Sequence, residues 1–305
     1  MKKIPSKNQE TWGIAAMIMA SLFVVGNNAI AKLLAAQINP LSVIYWRMLL
    51  AAGFAWLLFK HKINWQKIFS AKPSQIFMLF FVGIFNSAIA VFLRVLALMN
   101  TTLLNVSIIH TLIPLLVYLY SIFIFKNKFN LKIIGLILIS IYAVIILSTN
   151  SLFFQLGKMG KGELLVAGAT LITALGYVVR KILLKSFNTF EVSLPAFLIS
   201  GLTLLVMDGT TNQFDKQALW DWQTGFLLVL SGFLACLGII LTNQSIKQLR
   251  STTASQGAHV KVIFAFGLGW FVFGEMPTIY SLIAAMIIIG SIYLSNREQK
   301  KLKMI

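Results

Sequence analysis

The chain has 305 residues, 58% of them hydrophobic and only 11% charged, with a mean hydropathy of +0.85. Soluble domains are roughly half apolar and about a quarter charged, so this balance excludes one and indicates an integral membrane protein. The net charge of +18 does not point to nucleic acid, because the basic residues sit in short loops between apolar runs and form no stripe or reading motif.

Ten apolar runs of membrane-crossing length follow one another. The first, 13–34, comes after the basic start MKKIPSKNQETWG. It is too long for the apolar core of a signal peptide and lacks a small-residue cleavage site, so a retained helix is expected. It carries Gly26-Asn27-Asn28 and Lys32. Asn39-Pro40 marks a turn, and the second run, 41–59, carries Tyr45, Trp46 and Arg47. Residues 60–72, KHKINWQKIFSAK, mix lysines with Ile63, Trp65, Ile68 and Phe69. A headgroup-level segment and a solvated basic loop both fit them.

The third run, 75–98, carries Asn86 and Arg94, and the fourth, 101–123, carries Asn105, His110, Pro114 and Tyr118. The fifth is 131–149. Residues 151–162, SLFFQLGKMGKG, lack the spacing of a phosphate loop and read as a linker. The sixth run, 163–183, holds Tyr177, and the seventh is 190–207. The eighth, 225–246, holds Asn243, Gln244 and Cys236, a lone cysteine that can form no internal disulfide. The ninth, 252–273, holds His259, Lys261 and Trp270, and the tenth is 278–295.

With the N-terminus inside, 19 of the 26 Lys and Arg residues fall in inside segments and three, Lys158, Lys161 and Lys216, fall outside. The positive-inside rule then puts both termini in the cytoplasm, with a bacterial inner (plasma) membrane as the expected setting. Trp12, Trp220 and Trp222 are expected as interfacial anchors.

The fourth and ninth runs align with each other. PLLVYLYSIFIFKNK from Pro114 lies on VIFAFGLGWFVFGEM from Val262, an offset of 148 residues (114 to 262). Phe123 and Phe125 then match Phe271 and Phe273, and a Thr-Thr pair opens each run. Two units result, 1–150 and 163–305, joined by 151–162. Five spans are an odd number, so the second unit enters the membrane from the opposite side. The expected fold is all-α, with ten transmembrane helices in two inverted five-helix repeats, the architecture of alternating-access carriers.

At this point the chain resembles the drug/metabolite transporter superfamily, ten-helix proteins with two EamA-type repeats. The residues that carry the resemblance are Gly26-Asn27-Asn28 with Lys32, Pro40 followed by Arg47, the Pro114 helix, the run to Gly274-Glu275, and Gly290. The resemblance implies a small-metabolite carrier with a central cavity. Lys126-Asn127 stands where the first repeat often shows Gly-Glu, Val262 where the second often has proline, and Arg94 is not a usual family residue.

Outside the loops remain Lys32, Arg47, Arg94, Lys261, His110 and His259, with no carboxylate at mid-span. An ionisable group at such depth costs at least about 2.5–3.5 kcal/mol unless it meets water or a partner. Lys32 and Arg94 lie close enough to their helix ends to snorkel. Glu275 is expected at the interface, solvated or paired with Lys32 or Arg94. Arg47 fits either snorkelling or a cavity, and the histidines fit either interhelical bonding or a pore. Lys261, near the midplane, is expected to face substrate.

The candidate substrate-binding set is Lys261, His110, Arg47, His259, Tyr45, Tyr118, Tyr177, Trp270 and Asn27. These side chains suit a secondary transporter of a small polar metabolite, amino-acid-like or carboxylate-bearing, working by exchange or facilitated diffusion. A lipid or lipid-linked metabolite flippase is the alternative. Neither a nucleophile with its base nor a metal cluster is evident, so no enzyme activity, catalytic residue, metal or cofactor is expected. The expected partners are a small-molecule substrate and the lipid bilayer, with the chain acting as a monomer or homodimer and binding no nucleic acid.

Overall fold

The computed structural model describes residues 7–125, 130–152, 160–211, 221–249 and 251–303. Among these residues the secondary structure is helical, with no strand. Among the described residues nine helices have the length and apolar character to cross a membrane, and the tenth, Ile279–Lys303, carries the shorter apolar stretch Ile279–Ser295. That stretch is about 26 Å long at 1.5 Å per residue, close to the roughly 30 Å hydrocarbon core and within what local thinning accommodates.

Polar residues at the turns set the helix starts. Asn39 accepts from Leu41 N at 3.0 Å with Pro40 next, opening the second span, Pro40–Phe59. Thr102 accepts from Asn105 N at 3.0 Å to open the fourth, Asn130 from Lys132 N at 2.9 Å to open the fifth, and Asp221 from Thr224 N at 3.0 Å to open the eighth. Each occupies an orphan N–H of a first turn. The backbone and hydroxyl of Thr224 hold the exposed Asp221 carboxyl below its ordinary range. Phe77, Phe123, Leu138 and Met286 form part of an exposed apolar surface, and Trp12 and Trp222 are exposed at helix ends. Trp220, Lys126-Asn127 and residues 153–159 of the expected linker lie outside the described residues.

Packing follows a two-fold rule. The first span, Lys7–Ala35, packs on the eighth, Trp222–Gln248, and on the ninth. Correspondingly, the sixth, Lys161–Leu183, packs on the third and fourth. The second packs on the seventh, Thr189–Thr211, and on the eighth, while the seventh also packs on the third; the fourth meets the ninth, and the fifth, Leu131–Thr149, meets the tenth. Exchanging every span with the one five places on returns the same set of pairs. Each repeat has five spans, so the exchange reverses direction, and its axis lies in the membrane plane.

Three spans depart from the uninterrupted helices expected from sequence. The third, Pro73–Leu98, widens into a π-helix over Val82–Ile89. The fourth breaks between Leu103–His110 and Ile113–Phe125. Pro114 explains this break, since it has no N–H for the carbonyl of His110 and its ring crowds that residue. The ninth breaks at Gln256, between Ser251–Ser255 and Gly257–Phe273. No proline is needed there, and the Ser21 hydroxyl donates to the carbonyl of Gly257 at 2.8 Å, tying the restarted helix to the first span.

The third span meets the sixth where Asn86 lies on Gly176, leaving no space for a Cβ. Gly176→Leu should therefore drive the two apart at a cost of about 1–3 kcal/mol. Thermal unfolding in detergent should show a lowered Tm, whereas Gly135→Leu, with nothing within 4 Å of the added carbon, should leave Tm unchanged.

Candidate functional site

The antiparallel third and sixth spans hold a set of cations at mid-membrane. Their register is fixed by Asn86 against Gly176 and by Leu93 near Gly168. Arg94 reaches from one end to donate from Nη2 to Thr173 Oγ1 at 3.5 Å, while Arg180 reaches from the other to donate from Nη2 to Ser87 Oγ at 3.3 Å. Ser87 adjoins Asn86 and hence the level of Gly176, one turn from Thr173, so the two guanidinium heads lie within about 4.5 Å of each other in height. Thr173 is about 18 Å from the start of the sixth helix at Lys161, which places the pair near the middle of the membrane. The π-helix supplies the geometry, because its wide turn lets the consecutive Asn86 and Ser87 both face the sixth span. There Asn86 Nδ2 donates to the carbonyl of Ile172 at 3.4 Å.

Arg94 is the hub of a larger group, lying within electrostatic reach of Arg47, Arg180, Tyr177, His110 and Lys261. Arg47 is 1% exposed, His110 2% and Arg180 6%. The Nε atoms of Arg47, Arg94 and Arg180 and Nε2 of His110 are buried without a hydrogen-bond partner. Lys261 and Tyr177 line a small cavity together with Met17, Ala20, Ser21, Thr242, Ser245, Ala254 and Gly257. Its volume is about 10 Å³, space for about one water molecule. A larger groove of about 480 Å³ lies elsewhere, between the fifth and tenth spans, lined by Lys132, Leu136, Leu294, Arg297 and Glu298 among others. It contains none of the buried cations.

The remaining sequence candidates are dispersed. Asn27 accepts from the Ser231 hydroxyl at 2.6 Å between the first and eighth spans. Tyr45 is 1% exposed and packs on Trp46 with ring centroids 5.5 Å apart, and Tyr118 is buried in the core. Trp270 is exposed, stacked on Phe266 and tilted against Phe271. His259 is half-buried with both ring nitrogens unpartnered. Arg94 does not snorkel as expected; its head turns inward to Thr173. Arg180 was missed because proximity to the helix end made it read as a loop cation. The available signal was its face, since Thr173, Tyr177 and Arg180 recur at helical spacing.

Four buried or half-buried carboxylates are committed near helix ends. Asp208 accepts from Ser42 Oγ and Asn39 Nδ2, and Glu191 accepts from the backbones of Asn64 and Asn188. Glu163 is joined to Thr101 and Asn105. Gly274, at φ +64°, turns the chain at the end of the ninth span and brings Glu275 back over the bundle. There Glu275 Oε1 pairs with Lys32 Nζ at 2.5 Å and Oε2 accepts from Leu103 N at 2.9 Å. Lys32 therefore does not snorkel either; it also donates to the carbonyl of Thr101 at 3.1 Å. The opposite end has a counterpart: Lys181, one residue past the position equivalent to Lys32, donates to the carbonyls of Ile246 and Leu249. Thr101 and Leu249 are themselves one repeat offset apart.

The model of the EamA-like transporter family matches residues 11–149 and, separately, residues 160–297. The chain belongs to the EamA-like transporter family. Membership makes it a membrane transporter of small molecules, built from two EamA repeats. No curated protein matches this EamA-like transporter in sequence. A crystal structure of a protein 14% identical to it superposes with a TM-score of 0.66, covering 97% of this chain and 99% of the other, and speaks for the fold alone.

Glu275→Ala should leave Lys32 and the N–H of Leu103 without their acceptor. The expected cost is about 1–3 kcal/mol, since each is partly buried. The charge-swapped pair Lys32→Glu with Glu275→Lys should recover part of the loss in Tm, and equal Tm values for wild type and Glu275→Ala would show that the pair does not hold this end together.

Proposed function

We propose that this transporter moves a small polar metabolite, amino-acid-like or carboxylate-bearing, by alternating access, through exchange or facilitated diffusion. The supporting observation is the group of Arg47, Arg94, Arg180 and Lys261 at mid-membrane, in which the buried Nε atoms of the three arginines have no hydrogen-bond partner among the described residues. Cations so placed favour an anionic group on the solute. In this reading Lys261, His110 and Arg47, with Arg94, Arg180 and Tyr177, contact the substrate. Asn27, Tyr45, Tyr118, His259 and Trp270 serve the framework around it.

The moving halves are 1–150 and 163–305, linked by 151–162. The Lys32–Glu275 pair and the Lys181 contacts lie where a gate at each end would lie. The cavity beside Lys261 has room for about one water, so a metabolite enters only when the halves part. The distribution of Lys and Arg supports a bacterial inner membrane with both termini in the cytoplasm. With the inside negative, each negative charge imported works against about 2.3 kcal/mol per 100 mV, which favours exchange for an anion.

Counterflow in proteoliposomes should persist without a pH gradient, because no described carboxylate sits in the cation group to carry protons. Strict dependence on the gradient would contradict exchange or facilitated diffusion. Lys261→Ala should reduce uptake at least about tenfold, the equivalent of about 1.4 kcal/mol, while leaving the folded yield intact. Unchanged uptake kinetics would remove Lys261 from the site.

A further inference from the structure

We infer that the solute is a small organic oxyanion with at least two negative charges, a phosphate monoester or a dicarboxylate, held between Arg94 and Arg180 with Arg47 and Lys261, and that it crosses only in exchange for another such anion. This rests on the transporter reading above and narrows its substrate class.

The charge balance comes first. Arg47, Arg180 and Lys261 each lie within electrostatic reach of Arg94, and the heads of Arg94 and Arg180 are held within a turn of each other by Thr173 and Ser87. The acidic groups buried or half-buried at the bundle's ends have other partners: Glu275 with Lys32, Glu163 with Thr101, Glu191 with Asn64 and Asn188, and Asp208 with Ser42. A zwitterion brings one carboxylate and a new cation, so it leaves the excess positive charge unchanged. A monocarboxylate neutralises one side chain of the four. A divalent oxyanion offers enough lone pairs for both planar guanidinium forks at once, and forks of this kind match carboxylate and phosphate oxygens in pairs.

The arrangement around the pair fits a compact, doubly charged head. Arg94 and Arg180 approach from opposite ends of the same interhelical groove, so their forks converge from above and below. Lys261 and Tyr177 flank the groove across the small cavity, where Ser245 Oγ is a further buried polar atom without a partner. Arg47, 1% exposed, adds its charge from the second span. These groups come from both repeats, with Arg47 and Arg94 in the first and Arg180 and Lys261 in the second. The bound anion is thus the element that draws the two inverted halves together.

The same balance dictates exchange. Reorienting the halves without an anion would carry up to four like charges through a closed, water-poor state, whereas the loaded site carries at most two in excess. Movement of the loaded form is favoured in both directions, and net transport of one anion without a return load is suppressed.

Thermal unfolding of the purified full-length protein at constant ionic strength tests the charge class, with glycerol 3-phosphate and succinate set against lactate and alanine. At least one divalent probe should raise Tm by several degrees at millimolar concentration and the monovalent and zwitterionic probes should not; which of the two acts distinguishes phosphate ester from dicarboxylate. Arg94→Gln and Arg180→Gln should abolish the shift, and Arg94→Lys should retain part of it. If the Gln variants do not fold, the wild-type comparison of the four probes decides. Liposomes loaded with the effective anion should take up the same labelled anion at least tenfold faster than unloaded ones. Stabilisation by alanine or lactate equal to that by the divalent probes, no response to any of the four, or equal uptake by unloaded liposomes overturns this inference. None of these outcomes bears on counterflow of another small solute, which tests the transporter reading separately.

Discussion

A guanidinium inside a bilayer must be answered by an anion, by water or by another polar group, because hydrocarbon offers it nothing. In this transporter Arg47, Arg94 and Arg180 sit at that depth with Lys261 nearby, and the acceptors described for Arg94 and Arg180 are the Thr173 and Ser87 hydroxyls. The rest of the architecture can be read as the means of placing those charges together and keeping the chain's own acids away. Glu163, Glu191, Asp208 and Glu275 are all held at helix ends by bonds to neighbouring backbones or side chains.

The inverted topology makes this placement possible. A long side chain on the third span and one on the sixth leave antiparallel helices from opposite ends and meet in the middle of one groove. The π-helical turn at Val82–Ile89 is the local adjustment that presents both Asn86 and Ser87 to that groove. The two-fold relation also places corresponding lysines, Lys32 and Lys181, at the two ends, each bonded to the segment that connects to the fourth or ninth span. The ends are not equal. Lys32 has a carboxylate partner in Glu275, while the described partners of Lys181 are backbone carbonyls.

Much of the fold was legible in the residues. Apolar length gave ten spans, and the alignment of Pro114 with Val262 exposed the repeat that the family model recovers over 11–149 and 160–297. Helix breaks were not legible, because a widened turn at Val82–Ile89 and a restart at Gly257 depend on what packs against them rather than on a local breaker. Pro114 did carry such a signal. For the candidate site, depth alone singled out Arg47, His110 and Lys261, but depth measured along one helix cannot say where a flexible head goes. Arg94 and Arg180 looked like end-of-helix cations on that measure, yet each turns back toward the middle by about a turn. The aromatic candidates Tyr45, Tyr118 and Trp270 pack within or against the helices, and composition alone cannot separate that role from lining a cavity, since helical packing uses the same residues.

These buried cations lack a counter-charge among the described residues. Placing one there is the most direct test: Thr173→Asp puts a carboxylate where the Arg94 head already bonds. A buried acid ordinarily costs several kcal/mol, so the account makes a prediction of unusual sign. It predicts that Thr173→Asp raises Tm in detergent above that of wild type, with Thr173→Asn, neutral and of the same shape, giving no such rise. A Tm for Thr173→Asp below that of Thr173→Asn would mean that the cluster is already balanced, and would contradict the account.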